Sequence, residues 1–432
     1  MEQEKSPKWL RGHDTVDEVA FAREYLSSKD LICVDGAFFS KNGRVADENA
    51  LKKEIYHFLS PYIKTGIPRK IDRILEVMRL ETYRDGLAME EDCLHVANGT
   101  LYLDGAFESK TTFSRYRLPV NYHPEGFLPP TRWLRFLSEL LEEEDILTLQ
   151  EYMGYCLIPT TRGQKMLLII GRGGEGKSRI GVVMKSLLGC NMGVGSVAKI
   201  ENSPFARADL QHLLLLVDDD MKLEALSQTN HLKSIITAEL PMDLERKGIQ
   251  SYQALLRCRL MAFGNGNLQA LHDRSLGFFR RQIILTTKPR PADRKDDPYL
   301  ADKLLEEKEG IFIWCLEGLQ RLRKNEFRFT LSQKARKNLL ESIQDGNNVI
   351  SFLKSQGYFT WDPLGMCSSR SLYSIYRDWC EDNSLAPLAA RSFFNAFREA
   401  GIAQGLTPSN HVPIGNGKEV RGFKGIRACS RF

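Results

Sequence analysis

Residues 171–178 have the composition and spacing of a loop that binds phosphate. The segment reads Gly-Arg-Gly-Gly-Glu-Gly-Lys-Ser and fits the pattern G-x-x-x-x-G-K-S/T. Glycines let consecutive backbone N–H groups turn toward a phosphate oxygen, and a helix that begins at the loop adds the positive end of its dipole. We therefore predict that this loop binds ATP. The residues predicted to contact the nucleotide are Gly171, Gly173, Gly174, Glu175, Gly176, Lys177 and Ser178.

The flanking residues supply the strand and the helix that such a loop requires. Met166–Ile170 is an uninterrupted apolar run typical of a buried strand. After Ser178, apolar residues recur with helical spacing until Gly189, which ends the pattern. Lys177 would then reach the β- and γ-phosphates, and the Ser178 hydroxyl would take one position on Mg²⁺. The alternative is a glycine turn before an ordinary helix, which leaves the matching strand and helix unexplained.

A second apolar run, Leu213–Val217, predicts a strand that delivers three consecutive acids. Mg-nucleotide chemistry needs one carboxylate for the metal and a second to orient or deprotonate the attacking water. We assign Asp218 to the metal and Asp219 to the water, with Asp220 as the substitute. The alternative is a charged turn after a strand, which would be favoured if no phosphate loop preceded it.

Two further strands carry candidate groups at their ends. Leu260–Phe263 leads into Gly264 and Asn265, whose amide could bond both the γ-phosphate and the attacking water. Before the short strand Gln282–Leu285 stand Arg280 and Arg281, and a guanidinium there could reach the γ-phosphate of a neighbouring subunit. The alternatives are an Asn-Gly turn and a basic surface turn.

The order of these parts resembles the motor of superfamily 3 helicases, with the nearest similarity to primase-helicases of phages, plasmids, mobile genomic islands and poxviruses. The resemblance extends from about residue 98 to residue 287. It implies an AAA+-type P-loop ATPase core and a ring, usually of six subunits, that moves 3′ to 5′ on single-stranded or forked DNA. It also implies that Lys247 is the pore-loop lysine beside Arg246, Asn265 the sensor, and Arg281 the arginine acting across subunits, with Arg280 beside it. The choice of the catalytic acid pair, and of Asn265 or Asn267, stays open.

Composition is consistent with this interpretation and argues against a membrane-spanning, secreted or disulfide-rich protein. The chain is 42% hydrophobic and 27% charged, with no apolar run long enough to span a bilayer and no signal peptide at residues 1–6. We expect a cytoplasmic protein. Its nine cysteines show no C-x-x-C and no cysteine–histidine cluster, so we expect reduced thiols and no zinc site. A net charge of +5 permits a nucleic-acid partner without requiring one.

The predicted fold class is α/β: an ATPase core with a parallel sheet, preceded by an α/β accessory domain and a helical collar, and followed by a small winged-helix-like domain. Helical patterns cover 14–26 and 48–62, hairpins are expected within 31–39 and 95–107, and the collar covers 131–157. Isolated acids such as Asp35 and Asp104 give no primase site. The predicted domains are 1–128 (accessory), 129–298 (motor with collar), 299–346 (helical linker) and 347–432 (winged-helix-like).

The carboxyl-terminal region has its own composition. Residues 288–298 predict an exposed connector, and helical patterns cover 298–323, 349–355, 368–383 and 390–399. Beyond residue 390, basic residues alternate with phenylalanines. Such a patch could lie on duplex phosphates, or the phenylalanines could form a core beneath a solvated basic surface. The residues concerned are Arg391, Arg398, Lys418, Arg421, Lys424, Arg427 and Arg431 with Phe393, Phe394, Phe397 and Phe423.

Three functions follow from these patterns. The first is a ring-forming replicative helicase of a mobile element or phage, which a separate primase or initiator could accompany. The second is an initiator ATPase that binds and melts an origin, and the third is an ATPase that loads or remodels a protein partner. A dehydrogenase is disfavoured because Lys177 and Ser178 have no role around a dinucleotide pyrophosphate.

Overall fold

The computed structural model describes residues 7–12, 14–221, 229–265, 276–291, 296–346, 348–383, 385, 387–401, 405–414 and 417–429. The chain divides into two compact units. The first comprises the described residues of 1–223, 229–267 and 281–335, and the second those of 268–280 and 336–432. Among the described helices, none has the length and apolar character needed to cross a membrane.

The amino-terminal part of the first unit has a hydrophobic core of its own, in which Phe21, Ile55 and Met78 are fully or almost fully buried. The helix predicted at 14–26 begins later, at Glu18, because the Asp17 side chain accepts the N–H of Ala20 and caps it. The helix at Ile67–Glu81 was not predicted. The elements are β1 (Leu10–Arg11), β2 (Thr15–Val16), α1 (Glu18–Ser27), β3 (Leu31–Val34), β4 (Ala37–Ser40), β5 (Gly43–Arg44), α2 (Glu48–Leu59) and α3 (Ile67–Glu81).

A small sheet and two helices follow. The sheet has the order β8-β7-β6-β9, and it contains the hairpin predicted within 95–107. The predicted collar forms two helices, which separate at Leu141 and Glu142. The elements are β6 (Cys93–Val96), β7 (Gly99–Tyr102), β8 (Phe107–Glu108), β9 (Arg117–Leu118), α4 (Thr131–Leu140) and α5 (Glu143–Tyr155).

The centre of the first unit is a five-stranded parallel sheet of order β11-β12-β15-β10-β16, as the α/β prediction requires. The apolar runs predicted as strands form β10, β12, β15 and β16, and almost all of their apolar residues are buried, as is usual for parallel strands. The elements along this stretch are β10 (Met166–Ile170), α6 (Ser178–Leu188), β11 (Met192–Val194), α7 (Val197–Asn202), α8 (Pro204–Ala208), β12 (Leu215–Met221), α9 (Asn230–Thr237), β13 (Met242–Arg246), β14 (Ile249–Ala254), β15 (Arg259–Gly264), α10 (Leu276–Phe279) and β16 (Gln282–Thr286). Of these, α10 belongs to the second unit.

The acidic strand differs from its prediction. It was expected at 213–217 with the acids behind it, but β12 runs to Met221 and includes all three aspartates. The extension comes from pairing with β15, where Asp218 lies beside Ala262 and Met221 beside Gly264, with an irregular register between the two pairs. This irregularity changes which acid faces which side of the sheet.

Helices cover the sheet, and one pair approaches very closely. The single helix predicted at 298–323 is two helices, α11 (Leu300–Leu305) and α12 (Lys308–Lys324), followed by α13 (Gln333–Gly346). Helices α5 and α12 meet at Gly154 and Gly318. A β-carbon at Gly154 would lie 2.2 Å from the carbonyl oxygen of Cys315, so only glycine permits this contact.

The second unit combines helices with a three-stranded antiparallel sheet of order β17-β19-β18. The three helices predicted here are confirmed within one or two residues. Phe393, Phe397 and Phe423 are buried in its core and Phe394 is half-buried, whereas the neighbouring bases within the described residues are exposed. Arg431 lies outside the described residues. The phenylalanines therefore belong to the core, as the second interpretation of this region held. The elements are α14 (Asn348–Lys354), β17 (Phe359–Ser368), α15 (Ser369–Asp382), α16 (Ala390–Gly401), β18 (Thr407–Pro413) and β19 (Glu419–Ala428).

Candidate nucleotide-binding site

A cavity of about 800 Å³ lies at the carboxyl ends of the parallel strands. Ligands of open parallel sheets bind at this edge, where the loops after the strands meet. The loop after β10, the acids of β12 and the end of β15 all contribute to the wall. The lining residues used below are Gly173, Gly174, Gly176, Lys177, Ser178, Asp219, Asp220, Asn265 and Arg290.

The phosphate loop has the backbone that its glycines predict. Gly173, Gly174 and Gly176 have φ values of 105°, 77° and 105°, a region that favours glycine. Gly171 is required for a different reason, because a β-carbon there would lie 2.5 Å from the Thr287 hydroxyl oxygen and 2.7 Å from Lys177 Nζ. The loop therefore places the lysine ammonium against its own backbone, where an anion can be held from several sides.

Glu175 fills part of this arrangement with its own carboxylate. The carboxylate accepts the N–H groups of Arg172 and Gly173 and lies 2.8 Å from Lys177 Nζ. Burial raises the pKa of Glu175, but the hydrogen bonds from Lys177 and the loop outweigh it, so its pKa lies below the ordinary value. The side chain predicted to line a nucleotide site is therefore an ionised group that occupies anion-binding donors.

The three acids of β12 have different surroundings. Asp219 and Asp220 are exposed and line the cavity, and Asp219 and Ser178 also line a second, apolar pocket. Asp218 is buried, and its carboxylate accepts the N–H of Val197 at 2.8 Å. Burial raises the pKa of Asp218 despite this bond. The structure thus places Asp218, our predicted metal ligand, against α7, and it brings Asp219 and Asp220 to the phosphate loop.

Asn265 is exposed at the end of β15 and lines the cavity next to the phosphate loop. A β-carbon at Gly173 would lie 3.9 Å from its amide nitrogen. Because β15 lies between β10 and β12, this asparagine stands between the phosphate loop and the acids. The alternative candidate, Asn267, lies outside the described residues.

Arg290 is a cavity residue that our sequence analysis assigned to an exposed connector. Its Nη1 lies 3.4 Å from the carbonyl oxygen of Gly174, and its Nη2 lies 3.1 Å from Asp296 Oδ1. The guanidinium is therefore in the same protomer as the phosphate loop and directly beside it. The sequence did contain a signal for this residue, because Arg290 follows the core strand β16 by four positions. The neighbouring prolines and charged residues led us to predict a connector instead.

Arg281 lies at the opposite edge of the sheet. Its carbonyl oxygen accepts the N–H of Met166 at 2.8 Å, so it stands where β10 and β16 begin. The phosphate loop follows the other end of β10. Five residues of strand span roughly 17 Å at about 3.3 Å per residue, which exceeds the reach of an arginine side chain. Arg280 beside it is exposed.

The predicted pore loop is a hairpin, β13–β14, with Lys247 and Gly248 at its turn. Lys247 is exposed. Arg246 is half-buried instead, because its Nη2 donates to Gln211 Oε1 at 2.8 Å and its guanidinium lies over the Tyr252 ring. The two predicted DNA contacts therefore differ, with the lysine facing solvent and the arginine bonded within the protein.

A short series of contacts connects β12 to α9, the helix that precedes this hairpin. Asp218 bonds the first residue of α7, as described above. From the same helix, the buried carboxylate of Glu201 accepts the N–H groups of His231 and Leu232 at 3.2 and 2.8 Å, which caps α9. Helix α9 ends at Thr237, five residues before the hairpin begins.

One expectation is wrong: a cysteine–histidine cluster is present. Ligand atoms of Glu90, Cys93 and His95 all lie within 4.8 Å of one another. Cys93 and His95 are two residues apart in β6, so their side chains point to the same side of the sheet. Glu90 reaches His95 from the preceding loop. The sequence signal was the spacing Cys-x-His, which a search for C-x-x-C does not find.

Comparison with known proteins establishes a shared fold. A family model described as a family of unknown function (DUF5906) matches residues 169–281, from the end of β10 to the start of β16. No curated protein matches the chain. The apo structure of the NrS-1 C-terminal region is similar with a TM-score of 0.53 at 12% identity, over 95% of this chain and 99% of that one. The A-form apo structure of the same region gives 0.50 at 14% identity, over 90% and 87%.

Proposed function

We propose that this chain is an ATP-dependent DNA helicase of a phage or mobile element, built on an AAA+-type core and active as a ring. One observation carries the proposal. The phosphate loop, two exposed carboxylates and Asn265, from three strands of a parallel sheet, line the same cavity. This is the set of groups that Mg-nucleotide hydrolysis uses.

Within the cavity, the loop N–H groups, Lys177 and Arg290 would hold the phosphates of ATP. Ser178 and Asp219 line the same pocket and would share one Mg²⁺, an ion that prefers oxygen ligands. Bound Mg²⁺ would neutralise charge on the phosphates. Asp220 would then orient or deprotonate the attacking water, and Asn265 would contact the γ-phosphate. Compared with our first assignment, each acidic role moves one residue along the chain.

A ring is the arrangement in which Arg281 could act in hydrolysis. The side chain cannot reach the loop of its own protomer across the sheet, so a role in hydrolysis requires a neighbouring subunit. A heterologous interface that closes generates a ring, and the superfamily 3 resemblance implies six subunits. Arg290 would act within the protomer and Arg281 across the interface.

The hairpin supplies the contact with DNA. A lysine at an exposed turn can bind backbone phosphate without reading bases, so we expect binding that is indifferent to sequence and weakened by salt. Arg246 would hold the hairpin base through Gln211. The contacts from Asp218 through α7 and Glu201 to α9 would carry a change at the nucleotide toward the hairpin.

The second unit gives an origin-binding initiator as the other candidate. Exposed bases on a three-stranded sheet packed with helices resemble a winged-helix surface for duplex phosphates. Double substitution Arg421→Ala, Lys424→Ala in the full chain tests this. An initiator would lose binding to one preferred duplex sequence, whereas a helicase would keep unwinding any forked substrate.

The deciding experiment is strand displacement on forked DNA by the wild type, Lys177→Ala, Arg281→Ala and an equimolar mixture of the two variants. Each variant alone should be inactive. The mixture should regain part of the ATPase activity, because some interfaces combine an intact loop with an intact arginine. Arg135→Ala, an exposed residue paired with Glu139 on α4, is the control for loss of a surface charge. A monomer that hydrolyses ATP equally with and without DNA would disprove the proposal.

A further inference from the structure

We propose that Glu90, Cys93 and His95 form a binding site for a divalent transition metal, with Zn²⁺ the best match. The three residues offer a carboxylate oxygen, a sulfur and an imidazole nitrogen, which are the usual protein ligands of Zn²⁺. The site lies outside the nucleotide cavity and does not depend on the proposed helicase function.

The distances fit a tetrahedral centre. Cys93 Sγ lies 3.7 Å from His95 Nε2. Metal–ligand bonds of about 2.0 Å to nitrogen and about 2.3 Å to sulfur, at the tetrahedral angle, place these two atoms roughly 3.5 Å apart. Glu90 Oε2 lies 2.5 Å from the same nitrogen, so the carboxylate would move outward by somewhat less than 1 Å. Only the most exposed of the three side chains has to shift.

The histidine is already oriented for coordination through Nε2. Its Nδ1 shares a hydrogen bond of 3.1 Å with the Thr100 hydroxyl, and Thr100 lies directly across from His95 in the β6–β7 pair. Histidine ligands of metals usually bond a second residue through the other ring nitrogen, which sets the ring position and the tautomer. Both ends of the imidazole therefore have a defined partner.

Burial indicates how the coordination would be completed. The side chain of His95 is 10% exposed and that of Glu90 is 47% exposed, so the fourth position faces solvent on the Glu90 side. A water molecule would occupy it. Binding would release the proton of the Cys93 thiol, because a cysteine ligand coordinates as the thiolate.

The bound metal would join β6 to the segment that precedes it. Glu91 in this segment forms ion pairs with Arg162 and Arg257, at 3.3 and 3.5 Å, both near the large parallel sheet. A metal that fixes residues 90–95 would therefore stabilise the contact between the small sheet and the ATPase core. Its effect should appear as thermal stability, not as a change in chemistry at the phosphate loop.

Cobalt binding to the metal-free full-length chain tests the proposal. Co²⁺ should produce the near-ultraviolet charge-transfer absorption of a thiolate–cobalt bond, and added Zn²⁺ should abolish it. Cys93→Ser should remove this absorption, and His95→Gln and Glu90→Gln should each weaken Zn²⁺ binding at least about tenfold. Glu90→Gln is the variant least able to disturb folding, since its side chain is half exposed.

Cys190→Ser is the matched control. Cys190 is a partly buried thiol in the same unit, and it is not a member of the cluster formed by Glu90, Cys93 and His95. It should keep both the cobalt absorption and the rise in melting temperature with Zn²⁺. Absence of a thiolate–cobalt band in the wild type would overturn the proposal, leaving His95 and Glu90 as a hydrogen-bonded pair only. So would equal Zn²⁺ affinity in the wild type and Glu90→Gln.

Discussion

The carboxylate of Glu175 lies 2.8 Å from the ammonium nitrogen of Lys177, inside the loop to which both residues belong. The same carboxylate accepts two backbone N–H groups of that loop. A phosphate group would bind through these donors, since they form the positively polarised part of the loop. Glu175 therefore competes for the donors that our proposal assigns to ATP.

Glu175→Gln should strengthen nucleotide binding. In the wild type, ATP must displace the Glu175 carboxylate from its hydrogen bonds to the loop and to Lys177, and bonds to charged groups are worth about 1.5–3 kcal/mol each. The substitution removes the negative charge and weakens these bonds, so binding costs less. We expect a Kd for ATP lower by on the order of tenfold, measured with a fluorescent analogue. Glu144→Gln, at the start of α5, is the control. Weaker binding in Glu175→Gln would mean that the carboxylate supports the loop instead of competing for it.

Asp219→Asn should abolish hydrolysis but leave nucleotide binding, because Asp219 and not Asp218 faces the phosphate loop. We expect a loss of at least about 100-fold in kcat. Asp218→Asn keeps an oxygen that can accept the Val197 N–H, so its ATPase without DNA should change little. The opposite ranking of the two variants would restore Asp218 as the metal ligand.

Glu201→Ala should separate ATPase activity from its stimulation by DNA. The substitution removes the acceptor of the first N–H groups of α9, which precedes the hairpin carrying Lys247. Coupling changes of this kind amount to about 0.5–2 kcal/mol. Titration with single-stranded DNA should show a several-fold smaller increase in rate above an unchanged basal rate. Glu239→Ala, at the other end of α9, should behave as the wild type.

Gly154→Ala should destabilise the helical collar. Its new methyl group would meet the Cys315 carbonyl oxygen and force α5 and α12 apart. Overpacking of this kind costs about 1–3 kcal/mol, so the melting temperature should fall by several degrees. Gly86→Ala is the matched control, because a β-carbon there meets no described atom within 4 Å. Equal melting temperatures for the two variants would show that the helices can separate without cost.

His212 should make stability depend on pH. Burial, and then three neighbouring arginines, lower the pKa of this histidine from 6.5 to about 4. Between pH 6.5 and pH 4 the histidine is protonated in the unfolded chain but not in the folded chain. The free energy of unfolding therefore has its full value above pH 6.5 and decreases as the pH falls toward 4. The full effect is about 3 kcal/mol. The arginines are Arg44, Arg115 and Arg246.

Urea unfolding at pH 7 and pH 5 measures this effect. His212→Phe should reduce the difference between the two pH values, because the phenyl ring keeps the edge contact with Phe39 and cannot be protonated. His57→Phe, at an exposed position on α2, should show the wild-type difference. If His212→Phe showed the same difference in unfolding free energy between pH 7 and pH 5 as the wild type, the pH dependence would belong to other groups.

The sequence by itself determined the α/β class, the phosphate loop with its strand and helix, three further strands of the large parallel sheet, and helices α14, α15 and α16 to within one or two residues. These are local properties, since apolar periodicity and glycine spacing report burial and backbone geometry over a few turns of chain. The tertiary structure alone decided which aspartate reaches the cavity, because that depends on a register shift between Asp218 and Met221 against β15. It also brought Arg290 to the phosphate loop and Glu90 to Cys93 and His95. Such contacts depend on strand order and loop paths, and no periodic pattern along the chain records them.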